Sequence, residues 1–296
     1  MHSFLDNSLL SRLGSLPIES RVPMMGNVAG KHRSPHRGSS VEFAEYRKYV
    51  PGDDTRRLDW KAFARSDRFY IKEFEADTNL RAYFVVDASG SMNFAGKGVS
   101  KIHYARQIAA SLAYLLVNQG DAAGLSICTD KLHLEVPPSR RAAHLERFFS
   151  TLAKLEPTGE TGLINALHTI AEKIGQRAFV VILSDFFTET EALSEALQHL
   201  RYRKHDISAF HLMDPQEIGF DFERPHRFVD LEDGTAIVAE PTLIAEEYNN
   251  ALSEFLKTVR NKCHDASADY QLVTTDTPLE PLLREFLTAR LPKSKH

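Results

Sequence analysis

The fold prediction begins at residues 83–91, YFVVDASGS. An apolar run that is followed at once by short polar residues is typical of a strand buried on both faces of a sheet. Asp87, Ser89 and Ser91 form the motif Asp-x-Ser-x-Ser, which therefore follows the carboxyl end of a strand, where open α/β sheets place their ligand sites. One carboxylate and two hydroxyls on one loop suit Mg²⁺ or Mn²⁺, which prefer oxygen ligands, and suit zinc poorly.

Beyond residue 80, apolar strand patterns alternate with amphipathic helix patterns. Strands are predicted at residues 122–128, 132–136, 179–183, 207–213 and 270–273, a hairpin at residues 227–231 and 235–239, and helices at residues 100–120, 139–152, 161–174, 189–200, 241–259 and 279–287. Ser100 and Ser139 are predicted to cap the first two helices, and Asp233-Gly234 predicts the hairpin turn. The alternation predicts an α/β fold with a doubly wound, Rossmann-like and mostly parallel sheet.

The first part of the chain has a different pattern. Residues 1–20 predict a short helix, the residues 21–40 that are rich in Gly, Ser and Pro predict a loop, and residues 41–50 and 69–74 predict two short strands. We therefore divide the chain into an N-terminal segment of residues 1–77, a main domain of residues 78–290 and a basic tail of residues 291–296. The basic residues from Arg290 onward are predicted to be solvated.

Two other segments are predicted to complete the candidate metal site. Residues 158–162, TGETG, form a loop that opens a helix, and Asp185 follows the second fully apolar strand. In a doubly wound sheet these loops converge with the Asp87 loop on one crevice. Thr158 and Thr161 are both candidate ligands, and Thr161 is preferred because its loop directly opens the helix. Two carboxylates and three hydroxyls can leave one Mg²⁺ coordination position open for an acidic side chain of a partner.

This set of residues resembles the metal-ion-dependent adhesion site (MIDAS) of von Willebrand factor type A (vWA) domains. The resemblance covers residues 78–290 in the order of strands and helices. It implies a metal site made by Asp87, Ser89, Ser91, Thr161 and Asp185, and a domain that binds other proteins through the metal. The residues of the Asp-x-Ser-x-Ser motif match the family pattern without a gap.

A second resemblance lies upstream of the sheet. The residues that carry it are Gly30-Lys31-His32-Arg33-Ser34, Glu42-Phe43, Arg47-Lys48-Tyr49, Pro51-Gly52-Asp53-Asp54, Arg56, Asp59-Trp60 and Ala64-Arg65. This set resembles the signature of a bacterial family filed as domain of unknown function fifty-eight, in which the segment directly precedes a vWA domain. Members are often encoded beside AAA+ ATPases of the MoxR type, which implies such an ATPase as a partner. Many members begin with membrane helices, and this sequence resembles the short soluble form.

The upstream segment has two interpretations. Its candidate functional residues are Arg47, Asp53, Asp54, Arg56, Asp59, Trp60 and Arg65. In the first interpretation the segment is a structural clasp, with a turn at Pro51-Gly52 and with Trp60 anchored against the sheet. In the second, the arginine and aspartate side chains form a surface for a partner. Neither interpretation assigns a catalytic role to these residues.

Composition limits the class of function. The net charge of −4 over 296 residues gives no indication of nucleic acid or an acidic membrane as a partner. Cys128 and Cys263 lie in a strand pattern and a helix pattern, and are predicted to be buried, reduced thiols. No apolar run approaches the length of a membrane span, and the N-terminus lacks the apolar region of a signal peptide. We therefore expect a cytoplasmic protein.

Three functions remain open. The first hypothesis is a non-enzymatic, metal-dependent adaptor or chaperone-like protein that captures an acidic residue of a partner. The alternative is a Mg²⁺-dependent phosphohydrolase with Asp87 as its nucleophile. Ser89 stands where such enzymes need a second carboxylate, and this counts against the alternative. The third is a structural role, in which the metal only stabilises the fold.

Overall fold

The protein is described by a computed structural model, which covers residues 4–21, 42–50, 59–60, 62–63, 68–75, 80–129, 133–222, 224–232 and 234–291. The chain divides into two compact units, one of residues 22–80 and one that combines residues 1–21 with residues 81–296. The first 21 residues therefore belong to the main unit. In this respect the structure differs from the predicted N-terminal segment of residues 1–77.

The smaller unit contains an antiparallel pair of strands. β1 (Glu42–Lys48) pairs with β2 (Tyr70–Glu75), in agreement with the two predicted short strands. The side chain of Trp60 is 62% exposed and packs edge to face on Phe63. The anchoring of Trp60 against the sheet stays a prediction.

The main unit is built on a six-stranded sheet. In chain order the strands are β3 (Arg81–Asp87), β4 (Ala122–Cys128), β5 (His133–Ser139), β6 (Phe179–Ser184), β7 (Asp206–Met213) and, after a separate hairpin of β8 (His226–Val229) and β9 (Ala236–Ala239), β10 (Asp269–Thr274). The order across the sheet is β10-β7-β6-β3-β4-β5, and only the β4–β5 pair is antiparallel. The predicted doubly wound, mostly parallel sheet is confirmed.

Helices cover both faces of this sheet. They are α1 (Asn7–Leu13), α2 (Lys101–Gln119), α3 (Ala142–Ala153), α4 (Leu163–Lys173), α5 (Thr190–Tyr202), α6 (Pro215–Gly219), α7 (Pro241–Asp265) and α8 (Leu279–Ala289). Phe84 of β3 packs on Phe148 of α3, whereas Val85 belongs to the core formed with α4, α5 and α7. Residues 84–86 are therefore all apolar, because both faces of the strand are buried there. No helix of the described residues is long and apolar enough to cross a membrane.

Local signals placed the ends of α2 and the two thiols correctly. The Ser100 hydroxyl accepts a hydrogen bond from the backbone N–H of His103, and the helix stops at Gly120, whose φ is +93°. A left-handed residue ends a helix with least strain when it is glycine. Cys128 and Cys263 are both buried and free, as predicted.

Two predictions at element ends are wrong. Ser139 does not cap a helix, because β5 continues through Pro137 and Pro138 to Ser139 itself, and α3 follows Arg141 without a side-chain cap. Prolines fit here since β5 is the edge strand of the sheet, where a missing N–H breaks no ladder. Arg290, predicted to begin a solvated tail, is 4% exposed and forms buried ion pairs.

His205 makes the stability of the main unit depend on pH. Its Nδ1 accepts a hydrogen bond from the backbone N–H of Ala178 at 3.2 Å, and its Nε2 is buried with no partner among the described residues. Burial, and then the charges of Arg203 and His199, lower the pKa of His205 from 6.5 to about 4. Between these pH values the unfolded chain binds a proton that the folded protein does not. The free energy of unfolding therefore falls as the pH falls through this range.

We expect His205→Gln to remove about 3 kcal/mol of the stability difference between about pH 7.5 and pH 4, measured by urea unfolding. His264→Gln is the matched control, because His264 is exposed near the end of α7. It should keep the pH dependence of the unchanged protein. Identical pH dependence in the two variants would contradict the prediction.

Candidate metal-binding site

The candidate site lies at the carboxyl ends of the two central strands. Asp87 ends β3, Asp185 directly follows β6, and these strands are neighbours in the sheet. The strand order reverses at this pair, because β4 and β5 lie on one side of it and β7 and β10 lie on the other. Connections that diverge in this way leave a crevice, which is where doubly wound sheets bind their ligands.

Asp87 is surrounded by donors. Its Oδ1 accepts a hydrogen bond from the backbone N–H of Ser89 at 3.0 Å, and its Oδ2 accepts from the hydroxyls of Thr161 at 3.0 Å and Ser184 at 2.7 Å. Asp87 is 1% exposed. Burial, and then the negative charge of Asp185, raise the pKa of Asp87 to about 6. Without a cation, ionisation of this carboxyl is therefore less favourable than that of an exposed aspartate.

The loop before α4 presents one of the two candidate threonines to Asp87. Thr161 donates its hydroxyl hydrogen to Asp87, and its Oγ1 accepts a hydrogen bond from the backbone N–H of Leu163 at 3.2 Å. Thr158 instead uses its backbone N–H, which donates to the carbonyl of Ala88 at 3.0 Å. This bond holds the two loops together and places the Thr161 hydroxyl beside the motif.

The two serines of the motif lie side by side. Ser89 Oγ and Ser91 Oγ are 3.1 Å apart, in a hydrogen bond that either can donate. Ser89 is buried, whereas Ser91 is half-buried in a 3₁₀ turn, so the crevice opens on the Ser91 side. The Ser91 hydroxyl also interacts with the carboxylate of Glu232, on the turn between β8 and β9. Sequence analysis did not identify Glu232.

A buried ion pair borders the site on the Asp185 side. The Lys101 side chain is fully buried, and its Nζ lies 2.8 Å from Asp185 Oδ2 and 2.6 Å from Glu217 Oε1. Burial lowers the pKa of Lys101, but the charges of Asp185 and Glu217 outweigh it and the pKa is raised. Glu217 is itself fixed by α6, because its Oε2 accepts a hydrogen bond from the backbone N–H of Asp214 at 2.8 Å.

Two sequence signals mark the residues of this ion pair, although they do not show that the residues meet. Asp214-Pro215-Gln216-Glu217 has the pattern of a capping box with proline at the first helical position, which predicts α6. Lys101 is the first residue of α2, where the helix dipole disfavours a positive charge. A lysine in that position is favourable only if an acidic partner lies close to it.

The donor set fits Mg²⁺ or Mn²⁺. The structure links four predicted ligands by hydrogen bonds and places Asp185 close enough to raise the pKa of Asp87. Glu232 Oε1 is buried beside these acids with no hydrogen-bond partner in the described part of the chain. A cation or a water molecule would satisfy such an acceptor. Within the described ranges no three His, Cys, Asp or Glu side chains form a group that could hold a metal, so a metal here depends on the hydroxyls.

The upstream candidates are described only in part. Asp59 is buried and accepts a hydrogen bond from the backbone N–H of Ala62 at 3.2 Å, whereas Trp60 is exposed. For Arg47 only the backbone, in β1, is described. Four candidates lie outside the described residues: Asp53, Asp54, Arg56 and Arg65. The partner surface therefore stays a prediction.

Fold and site together define the class of this protein: a doubly wound α/β protein with an oxygen-rich crevice at the switch point of its sheet. A family model described as "Protein of unknown function DUF58" matches residues 45–254. The chain belongs to this family, as the upstream motifs implied.

Sequence relatives and solved structures match most of the chain. An uncharacterized protein of Mycobacterium tuberculosis is 28% identical over 216 residues, which cover 72% of this chain and 68% of the relative. Among solved structures, the conserved hypothetical protein BatB from Bacteroides thetaiotaomicron is 14% identical with a TM-score of 0.47, over 72% of this chain and 98% of BatB. The VWA domain of SpRpn10 is 12% identical with a TM-score of 0.40, over 73% and 96% of the two chains.

Proposed function

We propose that this protein is a binding module that uses Mg²⁺ or Mn²⁺ in the crevice to capture an acidic side chain of a protein partner. The observation that carries the proposal is the meeting of two carboxylates and three hydroxyls at the switch point of the sheet. Asp87, Ser89, Ser91, Thr161 and Asp185 would hold the metal ion. When bound, the ion supplies a positive charge that an incoming carboxylate can ligate.

The surrounding residues favour capture of an acid. Three of the five proposed ligands are hydroxyls, which do not neutralise the ion as carboxylates would. Of the two carboxylates, Asp185 already shares its charge with Lys101 at 2.8 Å. A bound ion would therefore be neutralised less than at a site made only of carboxylates, and its attraction for a further carboxylate increases where water is excluded.

The partner that we propose is an AAA+ ATPase of the MoxR type or one of its clients, with this protein as an adaptor in the assembly of a complex. This choice rests on the family resemblance. A phosphohydrolase is less well supported, because Asp87 Oδ2 accepts two hydroxyl hydrogen bonds. In addition, Ser89 stands where a second carboxylate would be required.

Asp87→Asn is expected to abolish Mg²⁺ binding and Mg²⁺-dependent capture of partner proteins. Asparagine keeps the size of the side chain and an acceptor for the surrounding donors, but it lacks the negative charge that the ion requires. Binding of Mg²⁺ is measured by calorimetry. Capture is measured from native lysate, in Mg²⁺ and in EDTA, with mass spectrometry of the retained proteins and circular dichroism to verify folding.

Asp265→Asn is the matched control, because Asp265 is exposed at the end of α7. It should bind Mg²⁺ and partners as the unchanged protein does. Capture that persists in EDTA or in Asp87→Asn would contradict the proposal. Phosphatase turnover that is lost in Asp87→Asn would favour the alternative enzyme.

A further inference from the structure

The turn between β8 and β9 is in direct contact with the Asp-x-Ser-x-Ser motif. A Cβ atom at Gly90 would lie 2.7 Å from the carbonyl carbon of Leu231 and 3.2 Å from the backbone nitrogen of Glu232. The first distance is shorter than nonbonded atoms tolerate, so the turn can approach this closely only because residue 90 is glycine. The contact brings Glu232 to the open side of the crevice.

Local hydrogen bonds orient Glu232. Its backbone N–H donates to Asp230 Oδ1 at 2.7 Å, and Asp230 also bonds through its backbone to Thr235 and Gly234 at 2.8 and 3.0 Å. The carboxylate then faces Ser91, and its Oε1 is buried without a hydrogen-bond partner among the described residues.

The position of Glu232 is unfavourable without a cation. Its carboxylate interacts with the Ser91 hydroxyl and is subject to the negative charges of Asp185 and Asp87. A carboxylate that has one buried oxygen without a hydrogen-bond partner among the described residues, and that is near other carboxylates, is stabilised by a positive charge placed beside it. The proposed metal ion would supply that charge.

We propose that Glu232 becomes an internal ligand of the metal ion when the ion binds, and that it then occupies the open coordination position until a partner's carboxylate displaces it. This inference rests on the proposed metal-dependent function. A tethered acid is present at high effective concentration. A single external carboxylate therefore competes poorly, and a partner must contact other parts of the surface as well. Glu232 thus prevents isolated acidic groups from occupying the open coordination position.

Displacement of Glu232 requires the tip of the hairpin to move away from the site. β8 and β9 pair only with each other among the described strands, and most of their residues are exposed. An isolated two-stranded hairpin has little stability of its own. Its base is held elsewhere, where the Phe220 ring stacks on Tyr248 at 4.2 Å and on Phe228 at 5.8 Å. The tip can therefore lift from Gly90 without disturbing β3.

The test compares the unchanged protein with the Glu232→Gln variant. Mn²⁺ is titrated into each metal-free protein, and binding is followed by water proton relaxation, which also reports how many waters remain on the ion. Acetate is then added as a probe for the open position. Glu232→Gln should bind Mn²⁺ about tenfold more weakly because it lacks one ligand, retain more water on the ion, and bind acetate about tenfold more tightly because no internal acid competes.

Glu240→Gln is the matched control, since Glu240 is exposed at the far end of the same hairpin; it should behave as the unchanged protein. Mn²⁺ binding by Glu232→Gln that equals or exceeds that of the unchanged protein, with the same response to acetate, would overturn the internal ligand and leave the metal site intact. Absence of Mn²⁺ binding in the unchanged protein would overturn the metal-dependent function, and the internal ligand with it.

Discussion

Lys101→Met is expected to lower the free energy of unfolding of the metal-free protein by about 3–5 kcal/mol, because it leaves buried carboxylates without a counter-charge. Lys101 is fully buried, and it is the cation that contacts both Asp185 and Glu217. Mg²⁺ should restore more stability to this variant than to the unchanged protein, since Asp185 then offers its full charge to the ion. Urea unfolding in EDTA and in Mg²⁺ measures both effects.

Lys97→Met is the matched control, because Lys97 is exposed in the loop before α2; it should change the stability by no more than about 0.5 kcal/mol. Adding Glu217→Gln to Lys101→Met should recover part of the loss, since it removes one of the two unpaired acids. If Lys101→Met loses no more than Lys97→Met, the ion pair is not a major contribution to stability.

Much of the fold could be predicted because its signals are local. The apolar run before Asp87 identifies a strand buried on both faces, and the alternation of strands and helices identifies a doubly wound sheet. Ser100 and Gly120 mark both ends of α2 through their own capping chemistry. The errors arise where tertiary position outweighs a local signal. Pro137 and Pro138 indicate a turn, but they lie in an edge strand.

The two aspartates of the candidate site could be predicted because they follow strand ends, and Thr161 because its loop opens a helix. Asp87 and Asp185 follow from the rule that ligands bind at carboxyl ends of parallel strands. Glu217 and Glu232 come from elements that lie far along the chain from the motif, and no spacing rule relates them to it. Lys101 has a helical pattern around it that assigns the residue to a helix but not to a partner. Contacts of this kind follow from the packing of loops and are visible only in the folded protein.

Arg290→Met is expected to destabilise the protein by about 3–5 kcal/mol, because it leaves the buried carboxylate of Asp206 without a counter-charge. The guanidinium group is fully buried, forms ion pairs with Asp206 and with Asp269, and lies 4.3 Å from the ring centre of Phe179. Its Nε also donates to the carbonyl of Glu19 at 2.9 Å. Arg290, which directly follows α8, is thus linked to β7, to β10 and to the segment after α1.

Arg284→Met is the matched control on the same helix, since Arg284 is half exposed and pairs with Glu280 one turn away; its loss should stay below about 1 kcal/mol. A similar loss in both variants would contradict the prediction.

The effect of Mg²⁺ on stability distinguishes the ion pairs of Arg290 from those of Lys101. Asp206 and Asp269 begin β7 and β10, at the end of the parallel sheet opposite the metal site. Mg²⁺ should therefore stabilise Arg290→Met by the same amount as the unchanged protein, whereas Lys101→Met should gain more.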